Sequence, residues 1–354
     1  MDNNTISILG LMSGTSLDGI DFAHVTFEKQ NYQNFEIHSV ETIPYPSHWK
    51  EMLSNAIHFS QVELQLLSVN YGAYLAENSN AFLTKFQIQH IDFIASHGHT
   101  ILHQPEKGIT LQIGDGQTIA NKTRQKIVCD FRSQDVALGG QGAPLVPIGD
   151  ELLFSGFDYC LNLGGFANIS FNNQGKRMAF DICPVNVVLN FYAQQLGFEY
   201  DAEGSIAASG TFDESLFNAL NTLEFYAKNP PKSLGIEWVQ SLIFPLLKKS
   251  NAPPETILRT FSDHIAWQIS QTIADGKKIL CTGGGTYNSY IVERIQFLKK
   301  CEFIIPDKKL IEFKEALIFA FLGLLRVDNQ INCLSSVTGA RKNHSSGVIF
   351  YPNQ

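Results

Sequence analysis

Residues 5–27 read TISILGLMSGTSLDGIDFAHVTF, and the order of residue types in that stretch decides the fold. Thr5 to Leu11 is an apolar run of strand length, which predicts a buried β-strand. It breaks at Ser13-Gly14-Thr15-Ser16 and an acidic turn, Asp18-Gly19-Ile20-Asp21, before a second apolar strand at Phe22 to Phe27. A strand that stops at glycine and hydroxyl side chains offers backbone N–H groups that a phosphate can approach closely.

The same grammar recurs further along. Tyr159 to Leu163 reads as a strand running into Gly164-Gly165-Phe166-Ala167-Asn168, and Ile279 to Cys281 as one ending in Thr282-Gly283-Gly284-Gly285, with a helix from about Ser289. Met178 to Phe180 reads as a short strand ending at Asp181, ahead of a helix opening at Pro184. Between them, Leu64, Leu67, Tyr71, Tyr74, Leu75, Phe82 and Phe86 recur at helical spacing over about 61–87, and His90 to Ser96 resumes as a strand leading into HGHT. Strands that stop at glycine turns and feed helices indicate an α/β protein with ligands at the strand ends. Two domains are expected, at 1–133 and 134–335, with the tail 336–354 returning to the first.

The 354 residues are 44% hydrophobic and 17% charged, enough for a large core without covalent staples. A net charge of −8 argues against a general nucleic-acid binder, since phosphate backbones are held by excess Lys and Arg. The N-terminus lacks a secretory pattern, and the longest apolar run, Ala316 to Leu325, is half the length a bilayer span needs, so it reads as a buried helix. Six scattered cysteines without CxxC spacing suit reduced thiols in a cytoplasmic protein.

Three glycine turns, at Gly14-Thr15-Ser16, Gly164-Gly165 and Gly283-Gly284-Gly285, are candidates for phosphate and nucleoside contacts; each is alternatively only a tight turn. The Walker and protein-kinase signatures are both missing. Asp181 is a candidate general base or else a helix N-cap. Arg132 is suited to a carboxylate or phosphate, or else pairs with Asp130 or Asp135. Glu315, opening an apolar helix, has a dipole-complementing surface role as its alternative. Asp18 and Asp21 could reach Mg²⁺ through water, or serve the turn locally. His97, His99 and His103 match no metal-ligand spacing, and no metal site is expected from them.

Taken together, GLMSGTSLDGID (10–21), ASHGHT (95–100), LQIGDGQTIA (111–120), VCDFRSQDVALGGQGAPLVP (128–147), LNLGGFANIS (161–170), FDICPVN (180–186), CTGGGTYN (281–288), Glu315-Ala316 and SVTGA (336–340) resemble the anhydro-N-acetylmuramic acid kinase family over nearly the whole chain. The resemblance implies a two-domain actin-like ATPase (ribonuclease H-like) α/β fold with ATP in an interdomain cleft. It implies that Gly14, Thr15, Ser16, Leu17, Asp18, Gly19, Ile20 and Asp21 form the ATP-binding segment. Gly164, Gly165, Asn168, Gly283, Gly284 and Gly285 join them as nucleotide-binding candidates. The general base falls on Asp181, and Thr100, Arg132 and Glu315 fall on sugar-binding positions. ATP with Mg²⁺, a cytoplasmic location and a homodimer are likewise implied. The implied reaction opens a 1,6-anhydro sugar with water while O6 is phosphorylated.

The chain departs from the family pattern beside Asp181, where Ile182, Cys183 and Val185 replace the Thr and Gly residues of a DTGPGN-like segment. His99 stands where glutamine is usual, Asp150 near a frequent histidine, and Met12 where many relatives carry an Asp. Larger side chains beside the base are expected to restrict backbone approach. This leaves open a kinase for another anhydro sugar such as levoglucosan, or a non-catalytic sensor of cell-wall fragments.

Overall fold

The computed structural model describes residues 4–354. The chain divides into two compact units: unit 1 takes the residues up to Leu153 together with Phe313–Gln354, and unit 2 takes Phe154–Glu312.

Unit 1 is built on strands β1 (Thr5–Met12), β2 (Gly19–Glu28), β3 (Asn31–Pro44) and β4 (Phe93–Ser96), a hairpin of β5 (His99–Gln104) and β6 (Ile109–Ile113), and β7 (Ile127–Cys129). β1–β3 form an antiparallel meander, while β1, β4 and β7 run parallel. β1 is central, and Ile8, Leu9 and Leu11 are all buried because the strand is covered on both faces. The helix Gln61–Lys85 opens with a capping box in which Ser60 and Glu63 satisfy each other's backbone N–H groups. It buries Leu67, Tyr71, Leu75 and Phe82, the face its periodicity predicted.

Unit 2 holds β8 (Tyr159–Leu163), β9 (Phe166–Asn173), β10 (Lys176–Pro184), β11 (Lys278–Thr282) and β12 (Glu302–Ile304). Its sheet order is β10-β9-β8-β11-β12, with an antiparallel meander β8–β10 and parallel pairs β8/β11 and β11/β12. Unit 1 has the order β3-β2-β1-β4-β7 with the same strand directions. The two units therefore repeat one topology, the ribonuclease H-like one that the resemblance implied. In unit 1 a closing strand, β13 (Val348–Phe350), pairs antiparallel with β7 at the sheet edge.

The boundaries correct the expected 133/134 and 335/336. The helix Val146–Leu153 stays with unit 1 because Gly149 lies against Ile318, where a Cβ would come within 2.8 Å. The helix Lys308–Val327 loses helical geometry at Phe313 (φ −114°, ψ 16°), and its second segment lies on the unit 1 sheet. There Gly10 meets the backbone of Ala316, and Gly323 meets Ala95. This return by residues remote in sequence moves the dividing line.

Candidate active site

In unit 1 the turn after β1 carries Gly14, Thr15, Ser16, Leu17 and Asp18 on to Gly19, Ile20 and Asp21 in β2. Thr15, Ser16 and Asp18 are exposed, and Leu17 takes a left-handed φ of 61°. A Cβ on Gly14 would meet only Ser16 Oγ, at 3.7 Å, so neither packing nor backbone conformation demands glycine there. Room left open above a turn is what close approach by a phosphate requires. Ser13 beneath it is buried, in a chain from His99 Nδ1 (2.8 Å) through Ser13 Oγ to Tyr45 Oη (2.6 Å) and on to Tyr71 Oη. This relay fastens the turn to β5 and to the long helix.

Arg132 follows β7. Its Nε and Nη2 donate to His97 Nε2 at 3.0 and 2.9 Å, and Nη1 donates to the Gly142 carbonyl at 2.7 Å. His97 Nδ1 must then donate to the Gly98 carbonyl (2.9 Å), which fixes its neutral tautomer. Burial, then the adjacent guanidinium, depress His97 to about 3. Neither Asp130 nor Asp135 pairs with Arg132: Asp130 accepts from Ser133, and Asp135 from Gly142, Thr338 and Cys333. Desolvation lowers Arg132 to about 10, against the pull of Glu315, Cys333 and Asp135, so it keeps its charge at neutral pH.

Glu315 is two residues past the Phe313 kink, inside the helix rather than at its start. It stays accessible to solvent, yet protein crowds its carboxyl, and desolvation raises its pKa, with Asp21 adding to the rise. Arg132 and then Lys314 pull it the other way. Lys314 is itself buried against Asp150 at 2.7 Å. Asp21 accepts a hydrogen bond from Thr42 Oγ1 at 2.6 Å, and Thr100 accepts one from Gln112 at 3.2 Å. Unit 1 thus brings Asp21, Arg132 and Glu315 into one electrostatic neighbourhood. His97, His99, Ser13 and Gly142 were quoted in the sequence without these roles: His97 and Gly142 hold Arg132, and His99 bonds Ser13.

In unit 2 the glycine corners interlock. A Cβ on Gly283 would meet Leu163 and Asn162, and one on Gly285 would lie 2.8 Å from the Leu163 carbonyl. Those two glycines answer to packing against the end of β8. Gly284, between them, faces open space. The Gly164-Gly165 turn receives the end of β10 through Val185 N–H to Gly165 O (2.8 Å) and Asn186 N–H to Gly164 O (3.3 Å).

Asp181 is not a helix cap. β10 runs on through it to Pro184, and the following helix begins at Asn186 with Val185 as an uncapped N-cap. Asp181 pairs in register with Asn168, so both side chains share one face, and the register shifts just beyond it, between Asp181 and Cys183. Its Oδ2 accepts the Leu234 N–H at 2.8 Å, while Oδ1 has no partner among the described residues. Burial raises its pKa, against the Leu234 hydrogen bond. The residues that replace the family's small ones, Ile182, Cys183 and Val185, are buried in the unit 2 core.

Two units that repeat one ribonuclease H-like topology, with glycine corners at their strand ends, define an actin-like α/β fold. The sequence model described as anhydro-N-acetylmuramic acid kinase matches residues 6–352. The chain belongs to that family. Relatives bearing the family name include proteins from Vibrio cholerae (32% identical; 98% of this chain, 98% of that one) and Bacillus cereus (32%; 98% and 99%). One from a Shewanella species is 34% identical over 98% of this chain and 99% of its own. Among solved structures, a ROK family glucokinase from Streptomyces griseus overlays at TM-score 0.41 and 10% identity, covering 89% of this chain and 98% of that one.

Proposed function

We propose that this chain is an ATP-dependent kinase that opens the 1,6-anhydro ring of 1,6-anhydro-N-acetylmuramic acid with water and phosphorylates O6, giving N-acetylmuramic acid 6-phosphate and ADP. The observation that carries the reading is the state of Asp181: one carboxylate oxygen fixed by a backbone N–H, the other free, and a raised pKa. A base held this way is oriented without being neutralised, and its affinity for a proton is increased. Family membership supplies the substrate.

In this reading the Oδ1 atom of Asp181 takes a proton from water as the water oxygen bonds to C1. The C1–O6 bond breaks, O6 bonds to the γ-phosphorus, and the bond from that phosphorus to ADP breaks. Capture of the leaving oxygen by phosphorus replaces the general acid of an inverting glycosidase. Arg132, aimed by His97 and Gly142, holds the sugar's carboxylate, with Thr100 and Glu315 as further sugar contacts. The turns at Gly14–Asp21, Gly164-Gly165 with Asn168, and Gly283–Gly285 take the nucleotide. Asp18 and Asp21, in and beside the first turn, are the carboxylates that would reach Mg²⁺ through water. Mg²⁺ held there would neutralise charge on the triphosphate.

No helix among the described residues is long and apolar enough to cross a membrane. The six free cysteines support a reducing, cytoplasmic setting. A homodimer is proposed on the family resemblance alone. The activity is tested by ADP release with 1,6-anhydro-N-acetylmuramic acid, levoglucosan and no sugar. Release only with the first supports the proposal. Preference for levoglucosan, or no turnover with either, rejects it.

A further inference from the structure

Asp135, Cys333 and His344 meet inside unit 1, behind the loop whose Gly142 carbonyl holds Arg132, and none of the three is assigned a role in the proposed reaction. Asp135 comes from the short helix Ser133–Ala137, and Cys333 and His344 face each other across an isolated antiparallel bridge near the chain's end. All three are closed to solvent, at 0%, 1% and 6% exposure. Asp135 Oδ1 is 3.1 Å from Cys333 Sγ and 3.5 Å from His344 Nε2, and one donor atom from each residue lies within 4.8 Å of the others. Among the described residues this is the one group of three metal-ligating side chains so placed.

A second observation points to a ligand. His344 Nδ1 faces the Lys342 carbonyl at 3.1 Å, an acceptor only, so Nδ1 carries the hydrogen. Nε2 then presents a lone pair to Asp135 and Cys333, and this buried atom has no hydrogen-bond partner. An unsatisfied buried nitrogen is costly unless something occupies its lone pair. The outer contacts of a metal site are already in place: Lys342 O orients the imidazole, and the Gly142 N–H (2.7 Å) and Thr338 hydroxyl (2.8 Å) orient the Asp135 carboxylate. Bonds of about 2.0–2.3 Å put neighbouring zinc ligands roughly 3.3–3.8 Å apart, close to the separations seen here.

We propose that Asp135, Cys333 and His344 bind a zinc-type divalent transition-metal ion that pins the closing segment of the chain to the loop carrying Gly142. Binding forms one bond each to Sγ, Nε2 and a carboxylate oxygen. The Cys333 thiol proton leaves to solvent, and its hydrogen bond to Asp135 is given up. A sulfur, nitrogen and oxygen donor set selects zinc over magnesium or calcium. Arg132 is anchored on the Gly142 carbonyl, so the ion would steady the segment that aims it.

The test uses full-length wild-type protein, freed of metal by a chelator and titrated with Co²⁺ as an optical probe. The expected result is a thiolate-to-cobalt charge-transfer band that saturates at one ion per chain and is displaced by Zn²⁺. It should be lost in Cys333→Ser, with a raised melting temperature in the zinc-loaded wild type. If Cys333→Ser fails to fold, X-ray absorption at the zinc edge of the loaded wild type decides: one sulfur with nitrogen and oxygen neighbours supports the site. No band at saturating Co²⁺, a band unchanged in Cys333→Ser, or an absorption spectrum without sulfur would overturn it and leave an ordinary hydrogen-bonded cluster.

Discussion

Arg132 directs two of its N–H groups at a single atom, His97 Nε2, from 3.0 and 2.9 Å. The neutral imidazole is a rigid, uncharged acceptor. It holds the guanidinium without neutralising it, which leaves the positive charge for a ligand. A carboxylate in the same place would have formed a closed ion pair.

His97→Leu should therefore raise KM for the sugar about tenfold or more with a smaller effect on kcat, because Arg132 loses its orientation while remaining charged. His97→Gln, whose side-chain oxygen can accept the same hydrogen bonds, should recover most of the loss. Steady-state kinetics on both variants, with circular dichroism as a fold control, check this. Equal defects in the two would contradict the positioning role.

Acid should unfold the protein in a particular window. His97 and His264 are held near 3 and His99 near 4, each chiefly by burial. Their folded values lie below the unfolded value of about 6.5. Between those limits the unfolded chain binds more protons, so stability is complete above pH 6.5 and falls as pH drops toward 3–4, by about 1 kcal/mol per pH unit for each group. Melting temperatures measured from pH 7.5 to 4 should decline steadily below 6.5. A flat profile to pH 5 would contradict the neutral assignments.

The glycines separate into two kinds. Gly14→Ala should fold with near wild-type stability and weaken ATP binding, because its Cβ meets only open space and the Ser16 hydroxyl. Gly10→Ala should fail to fold or be severely destabilised, because its Cβ would collide with the Ala316 carbonyl. Thermal shift with and without ATP distinguishes the two.

In unit 2, Asp263 is buried and accepts from Arg259 (2.8 Å), Arg294 (2.5 Å) and Tyr290 (3.0 Å). Asp263→Ala leaves two cations facing each other and should cost about 3–5 kcal/mol in chemical denaturation. A loss below about 1 kcal/mol would show that solvent screens the pair.

The two α/β units and the three glycine turns were legible because they rest on local signals: apolar runs of strand length that stop at Gly and Ser or Thr. β3 escaped notice because it is a long edge strand with a half-exposed, largely polar pattern. Asp181 was misread as ending a strand because Pro184 resembles a helix start, whereas here it closes β10. The His97–Arg132 and Ser13–His99 contacts span 35 and 86 residues and depend on the parallel pairing of β1, β4 and β7, which no local pattern encodes. The tail 336–354 was expected to return to the first domain; that the return already begins at Phe313 is hidden for the same reason.

Asp181 bears the central claim. Replacement by Asn keeps the shape and the Leu234 hydrogen bond but removes the proton acceptor. ADP release driven by 1,6-anhydro-N-acetylmuramic acid should fall about 10²–10⁴-fold, with ATP affinity unchanged, while the wild type loses kcat on the acid side above the ordinary carboxylate range. Turnover by Asp181→Asn within a fewfold of wild type would contradict the account.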